Sequence, residues 1–467
     1  MPSRHSVIGG ESSRTVMQKL PAAEGPQRAV SAIGPGTHVF RRASVPAKAA
    51  ESRIPNPEPR YTSPVRCDEL RLTGSGGANR VMEGELKRLV MRSDFEVRVP
   101  KPRREGETAL LYPFDPRIAW VAACHHRTSS RITWDLFSSE AIRLEPLYDE
   151  LLPALQADTR LPAKKKHLLF SVELGSVRDF EAGPLQLRGV VKNALVEALA
   201  ERGVTADIEP DEPDVVFVAR RAGTPDHRRT VVGIDLGLGA RHRRGARVTA
   251  GPAPLRETLA AQLIMLSRWD ARTEPLVDPM AGSATIPIEA AGLAVGAAIR
   301  DPRDLPFRHF EAFDALPEST RDLFPGTVPK ILALDLDEER IGTMVGNLRA
   351  AALTGKRYED SIVIGQKDIR SLTPEYIVEM LPAAADMKPG VFCFNPPYGV
   401  RIGGAQGEHH LLDLYAGMGR AMARFPGWRA ACFVANPRFV EAFGHYPAMT
   451  KPATNAELSG AFLVFNL

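Results

Sequence analysis

Pro275-Leu276-Val277-Asp278-Pro279-Met280-Ala281-Gly282-Ser283-Ala284-Thr285 reads as a strand, an acidic tip, a tight loop and the start of a helix. The loop from Ala281 to Ala284 is small throughout, and small residues let backbone N–H groups approach a ligand closely. Ile286, Ile288 and the alanines that follow give a helix that packs on a sheet. No Lys-Ser or Lys-Thr pair closes the loop, so it is not a triphosphate-binding P-loop. Downstream, Ile331-Leu332-Ala333-Leu334 runs into Asp335, and Ile362-Val363-Ile364 ends near Asp368. Strands alternating with helices predict an α/β fold with a mostly parallel sheet, and such sheets bind ligands at the carboxyl ends of their strands. Asp335 is placed to grip ribose hydroxyls and Asp368 to accept an adenine amino group.

A fourth apolar run, Val391-Phe392-Cys393-Phe394, leads into Asn395-Pro396-Pro397-Tyr398-Gly399. An exocyclic or amide nitrogen delocalises its lone pair and attacks poorly. The Asn395 side-chain oxygen and the Pro396 carbonyl can each accept one N–H, which leaves the lone pair pointing out of plane. Two prolines fix φ and lack an N–H, so the carbonyl is aimed before a substrate arrives. Tyr398 could lie flat on a substrate ring, an interaction worth roughly 1–3 kcal/mol for a nucleobase.

With these four strand ends in one stretch, the chain resembles the Rossmann-like S-adenosylmethionine-dependent methyltransferases, specifically the THUMP-containing guanine-N2 RNA methyltransferases. Pro254-Leu255-Arg256-Glu257-Thr258-Leu259-Ala260-Ala261, then Trp269, then Leu276 to Ser283, are similar to that family's helix and first strand. The resemblance implies S-adenosylmethionine as cofactor. Asp278, Gly282, Ser283 and Thr285 then line its methionine end, Asp335 holds the ribose and Asp368 lies near the adenine. It also implies that Asn395, Pro396, Pro397 and Tyr398 are catalytic. One departure stands out: Ala284 occupies a place where the family has a second glycine. If that place needs a positive φ, alanine costs about 1–2 kcal/mol. If it merely starts the helix, alanine is harmless.

The domain reading is a tail over 1–60, a ferredoxin-like region over 67–164, a THUMP-like RNA-binding domain over 165–247 and the methyltransferase domain over 248–467. The third unit rests on strands over His167–Val172, Asp214–Ala219 and Thr230–Leu236 and a helix over Leu187–Ala200 that contains Lys192-Asn193-Ala194-Leu195-Val196. Arg127-Thr128-Ser129-Ser130-Arg131-Ile132 resembles a recurring segment of the family's N-terminal region. The last strand, over Glu457–Leu467, is expected to run antiparallel. Some relatives carry a second methyltransferase domain beyond this point, and the chain length leads to the expectation of one methylation activity.

The 467 residues carry a formal net charge of only +4, so the placing of charge says more than its sum. Arg220, Arg221, Arg228, Arg229, Arg241, Arg243, Arg244 and Arg247 crowd the segment before the methyltransferase domain. Arginines at that density suit phosphate contacts. Arg241, Arg243 and Arg244, with Arg401 beyond the Asn-Pro-Pro-Tyr turn, are therefore the RNA-binding candidates. Phe307, Phe310, Phe313 and Phe324 lie in an insertion that either shapes the RNA pocket or packs locally.

The expected partner is RNA, with large-subunit ribosomal RNA first and transfer RNA second. No reading of oligomeric state follows from the sequence. Residues 1–60 are rich in Pro, Ala, Ser and Arg without apolar periodicity, the pattern of a disordered tail. No apolar stretch is long enough for a secretory core or a membrane span. Cys67, Cys124, Cys393 and Cys432 are widely spaced, and the adjacent pairs His125-His126 and His409-His410 have diverging side chains. Neither a metal site nor a disulfide framework is expected, and a reducing cytoplasm fits. Competing readings are a release-factor glutamine-N5 methyltransferase, a DNA adenine-N6 methyltransferase and a non-catalytic RNA-binding assembly factor.

Overall fold

A computed structural model describes residues 65–224, 227–244, 255–352, 361–398 and 405–467. The expected tail over 1–60, Arg247, Gly399 and Arg401 lie outside the described residues. In the first half the elements are β1 (Val65–Thr73), α1 (Asn79–Arg92), β2 (Arg103–Glu105), β3 (Ala109–Pro113), α2 (Pro116–His125) and β4 (Arg131–Ser139). They continue with α3 (Leu144–Gln156), β5 (His167–Leu174), α4 (Pro184–Glu201), β6 (Thr205–Ile208), β7 (Val215–Thr224) and β8 (His227–Asp235).

The described strands of this half form one sheet in the order β2-β3-β1-β4-β8-β7-β5-β6. β4 and β8 pair antiparallel, with Trp134 opposite Ile234. The expected boundary between residues 164 and 165 therefore falls inside a continuous sheet. Each of β4 and β8 would otherwise expose an apolar edge, which pairing removes. Leu70 and Leu72 of β1 enter the core, whereas Arg71 between them faces the other way. There it meets Asp135 at 2.9 Å and Glu105 at 2.6 Å, as alternation along a strand requires. Leu187, Val191, Ala194, Leu195, Ala198 and Leu199 are the buried stripe of α4, at the spacing of one helix face.

The second half contains α5 (Glu257–Leu266), β9 (Leu276–Asp278), α6 (Thr285–Val295), β10 (Ile331–Asp335), α7 (Glu338–Ala352), β11 (Ile362–Gln366) and α8 (Pro374–Met380). It ends with β12 (Val391–Phe394), α9 (Ala405–Met422), β13 (Arg429–Val434), α10 (Phe439–Phe443), β14 (Met449–Asn455) and β15 (Leu458–Asn466). The sheet order is β11-β10-β9-β12-β13-β15-β14. β15 runs antiparallel to β13, as expected for the last strand, and the pairs from β11 to β13 are parallel. Strand order reverses at β9, which lies between β10 and β12, so the ends of these three strands flank one crevice. Leu276 and Ile331 belong to one buried cluster and Val277 and Leu332 to another, so both faces of the sheet are covered.

The Phe-rich insertion between α6 and β10 is a packing element. Phe307, Phe310 and Phe313 join the core of the first half, with Phe313 edge-on to Phe114 at 6.1 Å and Phe310 to Trp134 at 6.0 Å. Gln262 of α5 donates to the Thr128 carbonyl at 2.7 Å, a further link between the two halves. Among the described residues, no helix is long and apolar enough to cross a membrane.

Candidate active site

β9 ends at Asp278, which is buried and accepts the Met280 N–H at 3.1 Å. Burial pushes its carboxyl well above the usual carboxylate range; the Met280 bond opposes this and the Asp335 charge adds to it. The chain turns at Gly282, where φ is +53°. The Gly282 N–H donates to Asp335 Oδ2 at 2.9 Å, tying the loop to the end of β10. A Cβ at Gly282 would meet only the Met280 carbonyl, at 4.0 Å, so the space beside the backbone is open. Ser283 Oγ and Thr285 Oγ1 lie 3.2 Å apart, and Asn347 of α7 donates to the Ser283 carbonyl at 3.0 Å.

Ala284 combines both conditions that its sequence left open. It is the residue at the start of α6, and its φ of 63° and ψ of 25° are left-handed. Glycine there would relieve about 1–2 kcal/mol of strain. Against that stand roughly 0.4–1 kcal/mol of extra chain entropy in the unfolded state and about 0.8 kcal/mol for a buried methyl. Ala284→Gly is accordingly expected to change the unfolding free energy by less than about 1 kcal/mol. Ala284→Val, β-branched at a positive φ, is expected to lose at least ~2 kcal/mol. Urea unfolding of the two variants checks this.

Asp335 is half-buried, with Oδ1 accepting the Asp337 N–H at 3.1 Å. Asp368 lies two residues beyond β11, and its sequence-based place beside an adenine meets a competitor. Arg370 donates to it from Nε at 3.0 and 2.9 Å, from Nη2 at 2.5 Å and from the backbone at 2.9 Å. These bonds match the roughly four lone-pair sites of a carboxylate, and the Arg370 bond holds the group below its usual pKa. An amino group at Asp368 would have to displace Arg370.

Asn395 follows β12 directly and is half-buried, Pro396 is buried and Pro397 exposed. Tyr398 does not lie open for a base to stack on. Its ring is buried edge-on to Phe433 of β13, at 5.8 Å and 90°, and its hydroxyl donates to Asn395 Oδ1. The ring packs on the apolar wall of β13, and the hydroxyl finds its acceptor in the Asn395 side chain. Tyr415 of α9 donates to the Pro397 carbonyl. The structure thus brings Asp278, Gly282, Asp335 and Asn395 to one crevice, with Ser283 and Thr285 buried behind the loop.

The arginine cluster corrects the sequence reading. Arg241 is 1% exposed, and its guanidinium donates to the carbonyls of Ala122 at 3.2 Å, Ala123 at 2.9 Å and His126 at 2.6 Å. It caps the carboxyl end of α2, where cations are favoured. Burial, with the charges of Arg244 and Arg300, pushes its pKa down to about 9. Arg244 pairs with Glu289 of α6 and donates to the Arg127 carbonyl at 2.6 Å. Neither side chain can reach a phosphate; a count of charge along the chain does not tell which cations turn inward. Arg243 is exposed. Arg220 pairs with Asp135, Arg221 and Arg228 with Asp179, and Arg229 with Glu140. Arg241→Ala is therefore expected to cost on the order of 2–3 kcal/mol of stability by leaving buried carbonyls unsatisfied. Arg243→Ala should move stability by less than about 0.5 kcal/mol, and thermal or urea unfolding separates the two.

Sequence reasoning missed Glu289. Its Oε2 accepts from both Arg127, at 3.1 Å, and Arg244, joining the two halves of the chain through α6. Its sequence sign is a lone acid in an otherwise apolar helix. His125 and His126 have separate partners, the Gly296 carbonyl for the first and Ser129 with the Met82 carbonyl for the second. No cluster suited to a metal ion occurs among the described residues.

Residues 244–462 match the family model described as RMKL-like, methyltransferase domain. Over these residues the chain is similar to that family. Over 383 residues the chain is 28% identical to ribosomal RNA large subunit methyltransferase K/L of Cellvibrio japonicus (strain Ueda107), covering 78% of this chain and 48% of that one. Over 260 residues it is 32% identical to the Methylococcus capsulatus protein of the same name, covering 53% and 32%. The chain thus spans about half, or less, of the length of these curated relatives. A solved structure assigned as a methyltransferase and complexed with SAH superposes with a TM-score of 0.62 at 21% identity, covering 86% of this chain and 98% of that one. The second half of the chain accordingly has a Rossmann-like fold.

Proposed function

We propose that the chain transfers a methyl group from S-adenosylmethionine to the exocyclic N2 amine of a guanine in structured RNA, with large-subunit ribosomal RNA as the first target. One observation carries the reading: Asn395 and Pro396 sit at the end of β12, beside the Asp278–Gly282 loop at the end of β9, at the point where strand order reverses. The relatives named for ribosomal RNA support the substrate class.

The residues fit the cofactor. Open space beside Gly282 admits a ligand against the backbone, Asp335 offers a half-buried carboxylate at the neighbouring strand end, and Asp278 places a second acid beneath the loop. When bound, S-adenosylmethionine supplies an electrophilic methyl on a sulfonium. Asn395 Oδ1 has two lone pairs; Tyr398 takes one and the guanine amine can take the other. The Pro396 carbonyl accepts the second N–H, to which no other donor comes among the described residues. Held by both, the amine keeps its lone pair free, and positioning supplies most of the rate. No strong base is needed, since the nitrogen becomes acidic only after alkylation. The target base must leave its stack, at a few kcal/mol in a duplex and less in a loop or bulge.

The first half of the chain, THUMP-like over 165–247, is proposed to dock the RNA, with Arg243 and Arg401 as phosphate contacts, in the cytoplasm. The purified protein, labelled methyl donor and ribosomal or transfer RNA test the proposal. Label is expected in N2-methylguanosine from ribosomal RNA. Label in transfer RNA alone moves the substrate assignment, and label in protein or in N6-methyladenine overturns it.

A further inference from the structure

Beyond Phe394, which is aligned with Cys432, the register of β12 with β13 ends. After Asn395 come two prolines, Pro396 and Pro397, with no N–H to donate. The turn that carries the candidate acceptors therefore lacks the backbone ladder that would otherwise hold it. Two phenols take over. Tyr398 donates to the Asn395 side chain, and Tyr415, fully buried on α9 and edge-on to Phe439 at 4.7 Å, donates to the Pro397 carbonyl.

We propose that Tyr415 is a positioning residue for methyl transfer: its hydroxyl fixes the Pro397–Tyr398 peptide, and this sets the Tyr398 hydroxyl on Asn395 and the angle at which Asn395 and Pro396 meet the amine. The proposal rests on the amine-methylation reading and adds a residue to it. Tyr415 itself is fully buried and acts through the turn. It reaches across from the helix that follows the turn, so the turn is braced from α9 on one side and from Phe433 of β13 on the other. An error of ~1 Å in the placing of reacting groups costs on the order of 100-fold in rate, and a lost brace on this turn acts at that scale.

Tyr415→Phe keeps the ring and removes the hydroxyl. The variant is expected to lower kcat about 10- to 100-fold, with the affinity for S-adenosylmethionine unchanged by calorimetry, because the Gly282 and Asp335 ends are not disturbed. A merely structural role would lower active fraction and cofactor binding together. An active wild-type protein with unchanged kcat in the variant overturns the positioning role while leaving the function intact. A wild-type protein that methylates no guanine overturns the function instead. The positioning role is then decided by crystals of the variant: a displaced Pro397–Tyr398 peptide and a turned Asn395 amide uphold it, and an unmoved turn overturns it. Should Tyr415→Phe not fold, Tyr415→Gln and Tyr415→Leu form a second pair of similar length. Higher kcat with the amide donor supports the proposal, and equal kcat refutes it.

Discussion

Asn395→Ala is expected to lower kcat for methyl transfer about 10²–10³-fold, the scale seen when one preorganised hydrogen-bonding group is removed from a reacting centre. Cofactor affinity is expected to stay as it is, since Asn395 follows β12 and the cofactor candidates lie at the ends of β9, β10 and β11 and in the turn into α6. Alanine also strips Tyr398 of its partner. Asn395→Asp is therefore the informative companion: its carboxylate still accepts both the tyrosine hydroxyl and an amine proton, and its kcat should fall between alanine and wild type. Single-turnover transfer together with calorimetry makes the check. A variant that loses cofactor binding in step with activity would mean that Asn395 serves the wrong pocket.

The second large effect concerns stability. Glu289 is 1% exposed and holds two nearly buried guanidiniums, Arg127 and Arg244. Removing one partner from a buried ion network leaves uncompensated charge, at about 3–5 kcal/mol. Glu289→Gln is expected to lose that much in urea unfolding, with little dependence on salt because the group is shielded from solvent. Replacing all three by apolar residues, Glu289→Leu with Arg127→Met and Arg244→Met, should cost less than the single change, since none of the three charges is then left without its partner. A loss below about 1 kcal/mol for Glu289→Gln would show that the joint is held by its apolar contacts, the Phe310–Trp134 and Phe313–Phe114 pairs.

Strand identity at the site was legible because each of β9, β10 and β12 is an apolar run closed by a polar residue at the crevice: Asp278, Asp335 and Asn395. α4 was legible from its spacing to within a few residues. Three things were not. The pairing of β4 with β8 joins segments far apart in sequence, and no local pattern records such a partner, so one sheet read as two units. The short edge strand β6 has a single buried residue, Ala206, and shows no alternation to find. The inward turn of Arg241 and Arg244 depends on the carbonyls at the end of α2 and on Glu289, and the inward turn of Tyr398 depends on Phe433. Orientation of a long or aromatic side chain is decided by the tertiary neighbour, whereas the residue type alone fits both an open and a buried role.

The account as a whole rests on donor and acceptor meeting across the crevice between β9 and β12. Crystals grown with S-adenosylhomocysteine measure this directly. The ligand is expected over Gly282, with its ribose at Asp335 and its sulfur directed at Asn395, leaving room for one nucleobase amine between them. A ligand bound elsewhere, or a sulfur directed away from Asn395, would contradict it.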